Sequence, residues 1–385
     1  MKHNWEYKRL GDVATYVNGY AFKPSDWLEI GYPIIRIQNL NNEDAEYNYS
    51  DGNIPAKYFV ANGDLLISWS ASLGAYIWHG DRAVLNQHIF KVVFDKTDIL
   101  KRYLKYFVDF SLPLMATKTH GATMKHITKP RFDALPIPVP PMEVQERIVA
   151  ELDKINETIE DCRELLRNLD ALAQSLFYDF FGDPITNPKG WEMKHFKEIL
   201  YKIGSGATPK GGKQSYQGGN ISLIRSLNVY NTYFKYDDLA KINANQAYEL
   251  RNVEVQFDDV LLNITGASVA RCFIVPKDTL PARVNQHVAI LRPNNKFIRP
   301  KFLHRLIITP SFQNFLIGTA RGKSATREAL PKATLEMIKI PVPPISLQEQ
   351  FAARIEQIEE QKKAVELTIA ELQTLLDSRM DYWFN

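Results

Sequence analysis

Cysteine is scarce, with two in 385 residues, Cys162 and Cys272. One sits on a helical seam and the other in an apolar run, which excludes a disulfide framework or thiolate metal centre as an expectation. No apolar run approaches the roughly 20 residues of a membrane span. The opening Met1-Lys2-His3-Asn4-Trp5 has no signal-peptide core. A cytoplasmic protein with no membrane partner is therefore expected. Net charge is only +3, which permits nucleic-acid binding through local patches without demanding it. Catalytic signatures are missing too. The eight histidines are scattered, with no paired His/Cys metal spacing and no Pro-Asp-x-Lys type of nuclease cluster. Asn263-Ile264-Thr265 is not an Asn-Pro-Pro-Tyr type of motif, and no glycine-rich cofactor loop precedes it. The stretch Gly204 to Lys213 approaches a phosphate loop but fails the spacing: Ala207 stands where the first glycine belongs, and Gln214 where Ser or Thr belongs. The expectation is no metal, no cofactor and no catalysis by this chain alone.

What is present is a repeat. Hydrophobic residues make up 45% and charged residues 24%, an ordinary globular balance, and the length suggests two or more domains. Ile137-Pro138-Val139-Pro140-Pro141 forces an extended lead-in, because proline cannot continue a helix from the left. A heptad seam follows: Ile148, Leu152, Ile155, Ile159, Cys162, Leu166, Leu169, Ala173 and Leu176, in alternating steps of four and three. Ile340-Pro341-Val342-Pro343-Pro344 repeats the lead-in at a shift of 340 − 137 = 203. The same shift maps Gln145-Glu146 onto Gln348-Glu349 and Phe180-Phe181 onto Trp383-Phe384. It maps the seam onto Phe351, Ile355, Ile358, Lys362, Val365, Ile369, Leu372, Leu376 and Arg379. The two seams are the expected pairing surfaces of two helices. Lys362 and Arg379 are either long stems leaving the seam or polar positions that fix register or meet a partner.

The repeat continues more loosely through the rest. Trp5-Glu6 matches Trp191-Glu192, Ile35-Arg36-Ile37 matches Ile224-Arg225-Ser226, and Asn86-Gln87-His88 matches Asn285-Gln286-His287, at shifts that grow from 186 to 199. Loop insertions in a shared core produce such drift. β-branched and aromatic content predicts strands over Tyr32 to Ile37, Asp64 to Trp69, Ala75 to Trp78 and Ile89 to Phe94. Their predicted counterparts are Ile221 to Ile224, Val260 to Ile264, Ala270 to Val275 and Val288 to Leu291. Helix is predicted around Tyr103 to Phe107 and Phe302 to Ile308. The reading is an α+β chain of two similar mixed α/β domains, 1–142 and 187–345, with a spacer helix 143–180, a linker 181–186 and a second spacer helix 346–385. Two long antiparallel coiled-coil helices separate the domains, giving an internal pseudo-two-fold repeat. Glu143 to Tyr178 alone would measure roughly 54 Å at about 1.5 Å per residue, the scale of one to two turns of B-DNA.

Taken together these motifs resemble the specificity subunit of a type I restriction–modification system, over essentially the whole chain. The resemblance is carried by the two proline lead-ins with Gln145-Glu146 and Gln348-Glu349-Gln350. It is carried also by Phe180-Phe181-Gly182-Asp183-Pro184, Asn187-Pro188-Lys189-Gly190-Trp191 and Gly206-Ala207-Thr208-Pro209. It implies two target recognition domains, each reading half of a bipartite site in double-stranded DNA. It implies helices that set the gap and dock two copies of a methyltransferase subunit, with restriction subunits joining the assembly. S-adenosylmethionine is then bound by the methyltransferase subunits, not by this chain.

Candidate DNA contacts follow. Asn86, Gln87, His88, Asn285, Gln286 and His287 suit adenine edges or, alternatively, a turn bonded to its own backbone. Two loops combine cations, glycine and hydroxyls, a composition suited to phosphate or to plain solvation. One carries Lys118, His120, Thr123 and Lys125; the other carries Arg321, Lys323 and Arg327. Lys210 and Lys213 lie in a basic loop whose less basic counterpart holds Lys23. Ser68, Ser70 and Thr265 end strands with small hydroxyls, and Arg36 and Arg225 occupy matched positions. Two rivals stand beside this reading: a stand-alone methyltransferase or nuclease, and a scaffold that binds proteins rather than DNA.

Overall fold

A computed structural model describes residues 5–42, 44–117, 127–209, 216, 218–322 and 328–385. The chain divides into two compact units, Met1–Arg163 with Leu367–Asn385, and Glu164–Glu366. Each contains one globular part and a segment of both long helices.

In the first unit the proline lead-in is an edge strand. Pro136–Val139 pairs antiparallel with Glu6–Arg9, where missing proline N–H groups face away from the ladder. One antiparallel sheet has the order Thr15–Asn18, Ile89–Val93, Leu65–Ser68, Gly74–Ile77. A second has the order Asn48–Ser50, Tyr32–Ile35, Ala83–Leu85, Phe59–Val60, and its central pair is parallel. The second unit repeats both orders. Leu200–Ser205, Val288–Pro293, Val260–Asn263 and Cys272–Ile274 form one sheet. Ala240–Ile242, Ile221–Ile224, Ala282–Val284 and Glu254–Val255 form the other, again with a parallel centre. Met193–His195 pairs with its own lead-in, Lys339–Pro341. The inner strands Leu65–Ser68 and Val260–Asn263 are buried at every position, which places them at the centre of each core.

Several predicted strands are shorter than expected, and in two of them the local reason is plain. The Tyr32 to Ile37 strand ends at Ile35, because Asn39 Oδ1 accepts the Arg36 N–H (3.1 Å) and starts a helix at Ile37–Asn41. The Ala270 to Val275 strand begins only at Cys272, because Ala270 adopts a left-handed φ of 71°.

The long helices run Met142–Phe181 and Ile345–Phe384. Ile148, Leu152, Ile155, Ile159 and Leu169 are buried on the first, and Phe351, Ile355 and Ile358 on the second. Leu166, Val365, Ile369 and Leu372 are half-buried. In the second unit the pairing is antiparallel, since Asp170 meets Lys362 (2.6 Å) while Phe177 meets Phe351 (centroids 5.8 Å). In the first unit the Arg379 guanidinium bonds Glu151, whose Oε2 also accepts Trp383 Nε1–H (3.1 Å). Lys362 and Arg379 thus find acids on the facing helix rather than only leaving the seam.

A buried glutamine fastens each helix to its globular part. Gln145 accepts the Leu100 N–H (2.9 Å) and donates to Pro140 O (2.9 Å). Gln348 accepts the Arg299 N–H (2.8 Å) and donates to Phe297 O (3.0 Å) and Pro343 O (2.8 Å). The aromatic helix ends dock in equivalent places. Phe181 packs on Phe302 and Phe351 in the second unit, and Phe384 on Tyr103, Phe107 and Phe110 in the first.

Candidate functional site

In each unit the chain crosses from one sheet to the other at Asn-Gln-His. In the first, Asn86 N–H donates to Ile35 O (3.1 Å) and Gln87 N–H to Tyr20 O (2.8 Å). His88, at φ 73°, turns the chain into Ile89–Val93. In the second, Asn285 N–H donates to Ile224 O (3.1 Å), and Asn285 Oδ1 accepts the His287 N–H (3.1 Å). Only the Asn285–His287 bond is internal to its turn; the other three tie the crossing to neighbouring segments of the same unit. A glycine lies flat on each turn. Gly19 N–H donates to Ile89 O (3.0 Å), and a Cβ there would stand 2.0 Å from Asn86 O. Gly206 N–H donates to Asn285 O (3.1 Å), and its Cβ would stand 1.6 Å from Val284 O.

The crossing gathers several expected site residues at one edge of each unit. In the second unit Thr208 Oγ1 bonds Gln286 Oε1, Gln286 Nε2 lies 3.1 Å from His287 Nε2, and His287 Nδ1 lies 2.6 Å from Thr265 Oγ1. One proton order satisfies the row: the threonine hydroxyl donates to the amide oxygen, and the amide N–H donates to Nε2. Nδ1–H then donates to Thr265, whose own hydroxyl hydrogen remains to be given. Thr265 opens the 264–271 loop, and Leu330 N–H donates to Ile264 O (2.8 Å) beside it. Arg321 pairs with Glu328 (2.8 Å), and Glu328 O accepts the Gly266 N–H (3.0 Å). In the first unit Ser68 is buried and donates to Ser70 O (3.2 Å). Trp69 Nε1–H donates to Asn18 (3.2 Å), the Trp69 ring meets His88 (5.0 Å), and Ile127 N–H donates to Trp69 O (3.1 Å).

Arg36 and Arg225 are occupied by their own loops. Arg36 Nη2 donates to Glu46 O (3.3 Å) and its guanidinium lies over Trp27 (5.4 Å). Arg225 bonds Asp238 O and lies over Tyr216 (5.9 Å). Three residues on, Asn39 and Asn228 are buried and bond back to the Arg36 and Arg225 N–H groups. This Ile-Arg-x-x-Asn lock occurs in both copies at one shift and is visible in the sequence as a repeat. Lys23 is exposed, its N–H held by Asp26 (2.8 Å). Lys118, His120, Thr123, Lys125, Lys210, Lys213, Lys323 and Arg327 lie outside the described residues, as do Gly211 and Gly212 between the two lysines of the loop 204–213.

A feature of the second unit escaped the sequence altogether. Arg271 closes the 264–271 loop, its C=O accepting from Asn263 N–H (2.8 Å). Its guanidinium lies 4.5 Å over Tyr230, which stacks on Tyr233 at 4.5 Å and 11°. The hairpin bearing both tyrosines is pinned from below. His304, fully buried, donates from Nε2 to Asn231 O (3.0 Å) and Cys272 O (3.2 Å), and Asn231 Oδ1 accepts the Cys272 N–H (3.0 Å). Burial, helped by the neighbouring Arg305 charge, pushes the His304 pKa down to about 3. A folded-state value below the unfolded 6.5 means stability is full above pH 6.5 and is lost as pH falls toward 3. Between pH 7 and pH 5 the second unit is expected to lose about 2 kcal/mol through this residue. Thermal melts of His304→Gln should be flatter with pH than those of the parent over that interval.

Among the described residues, no cluster of His, Cys, Asp and Glu could hold a metal ion, and no helix is long and apolar enough to cross a membrane. The family model described as the type I restriction modification DNA specificity domain matches twice, over residues 2–169 and 188–374. The EcoBI specificity subunit of Escherichia coli is 25% identical over 382 residues, covering 92% of this chain and 79% of that one. The MjaVIII specificity subunit of Methanocaldococcus jannaschii is 22% identical, covering 93% and 87%. The fold matches the type I S subunit from M. genitalium at TM-score 0.54 and 14% identity, covering 100% of this chain and 97% of that one. A chain from a structure of type I R-M complex assembly and conformational transition matches at TM-score 0.57 and 18% identity, covering 98% and 96%.

Proposed function

This chain belongs to the type I restriction–modification DNA specificity family, and from that premise we propose that it is the subunit that selects the DNA sequence for methylation and cleavage. Each unit takes one half of a bipartite site in double-stranded DNA, using the loops at its sheet crossing. The long helices set the unread gap and dock two methyltransferase subunits and, through the assembly, restriction subunits. The chain itself is non-catalytic and works in the cytoplasm. S-adenosylmethionine is held by the methyltransferase subunits.

The observation that carries this reading is duplication with divergence. Both units keep the strand orders, the glycine-backed Asn-Gln-His crossing and the Arg-x-x-Asn lock. The loop chemistry at the crossing differs: Ser68, Trp69 and Ser70 in one unit, and Thr265, Arg271 and the tyrosine pair in the other. Like scaffolds with unlike tips suit two different half-sites, since phosphate contacts position a protein and base contacts specify. Docking is supported by leucines exposed on otherwise charged helices, Leu165 (45%) and Leu172 (47%) on the first and Leu367 (59%) and Leu375 (45%) on the second.

The test is to mix the chain with its methyltransferase subunit and map methylated bases on genomic DNA. A split motif, two short specified blocks around a fixed unspecified gap, is expected. A continuous motif, or methylation that persists without this chain, would overturn the proposal.

A further inference from the structure

We propose that Arg271 reads a guanine in the half-site taken by the second unit, and that Tyr230 and Tyr233 hold it in reading position. The inference rests on the DNA-recognition reading above and adds one side chain to it. Three observations carry it. First, Arg271 closes the 264–271 loop that carries Thr265: its C=O accepts the Asn263 N–H, and the next residue, Ile264, donates to His287 O at the sheet crossing. Second, no ion pair to Arg271 occurs among the described residues, in contrast to the acid-paired Arg321, Arg292 and Arg299. Third, the guanidinium carbon lies 4.5 Å over the Tyr230 ring, which is stacked on Tyr233, and Tyr233 is half exposed.

Contact with an aromatic face restricts where the guanidinium can sit while leaving its N–H groups able to donate. A phosphate oxygen does not require such placement, because it accepts from many directions. The O6 and N7 of guanine do, because they accept two parallel N–H bonds in one plane. The pinned hairpin under the tyrosines, held by His304 and Asn231, keeps the aromatic face beneath Arg271 in place before DNA arrives.

The experiment maps methylated motifs for the full chain with its methyltransferase subunit, comparing the parent with Arg271→Ala, Arg271→Lys and Tyr230→Leu. Expected is relaxation at one guanine of one block, with discrimination there reduced roughly 5- to 150-fold in Arg271→Ala. Lysine should fail to restore it, because an ammonium has the charge but not the fork. Tyr230→Leu should relax the same position less, and the other block should not change in any variant. An unchanged motif, full function in Arg271→Lys, or uniform weakening with a shallower salt slope (the mark of a phosphate contact) would overturn the inference while leaving the split motif standing. Absence of a split motif with the parent chain would overturn both this inference and the reading it rests on.

Discussion

Gln348→Leu is expected to destabilise the second unit by about 3 to 6 kcal/mol, the largest effect of any single polar substitution considered for this chain. Leucine nearly conserves volume, so packing changes little. What it removes is the partner of three backbone groups at once: the Arg299 N–H, Phe297 O and Pro343 O. Gln348 is 0% exposed, so water does not readily replace the amide, and each orphaned group costs about 1 to 2 kcal/mol. Gln145→Leu orphans two groups, the Leu100 N–H and Pro140 O, and is expected to cost the first unit about 2 to 4 kcal/mol. Urea unfolding of the two variants should show this order. A loss under about 1 kcal/mol for Gln348→Leu would mean that the amide is not what fastens the helix to its globular part.

Gly206→Ala is expected to lower stability by about 3 kcal/mol and to abolish recognition by the second unit. The added methyl would stand 1.6 Å from Val284 O, and a backbone oxygen has no rotamer with which to escape. Relief requires the strand Leu200–Ser205 to lift off the crossing, which breaks the Gly206 N–H bond to Asn285 O and carries Thr208 away from Gln286. Methylation mapping should lose one block of the motif. Gly19→Ala should do the same to the other block, its Cβ standing 2.0 Å from Asn86 O. Normal methylation by both variants would show that the crossing tolerates displacement and does not position the reading loops.

Much of the fold was legible because its signals are periodic or punctuated. The heptad steps from Ile148 and from Phe351 and the proline lead-ins state helix and strand within a few residues of sequence. The Asn-Gln-His pair was legible as a repeat, although only the structure places it where the chain changes sheets. The failures are instructive in the same terms. Ile37 reads as strand by its β-branched side chain, yet Asn39 caps a helix there and propensity yields to a hydrogen bond. The hydrogen bonds of Arg36 and Arg225 were not legible, because sequence does not reveal a carbonyl waiting ten or thirteen residues away. Arg271, Tyr230 and Tyr233 come from two different loops, and no local pattern announces their stack.

The first unit is built from discontinuous stretches, Met1–Arg163 and Leu367–Asn385, whereas Glu164–Glu366 is continuous. Trp383 stacks on Trp5 at 6.1 Å, and Phe384 fills the space between Tyr103, Phe107 and Phe110. During synthesis the residues that complete the first unit are made after every residue of the second. The unit begun first on the ribosome is therefore the one finished last. Until Phe384 is in place, the aromatic side chains of Tyr103, Phe107 and Phe110 lack the ring that packs against them.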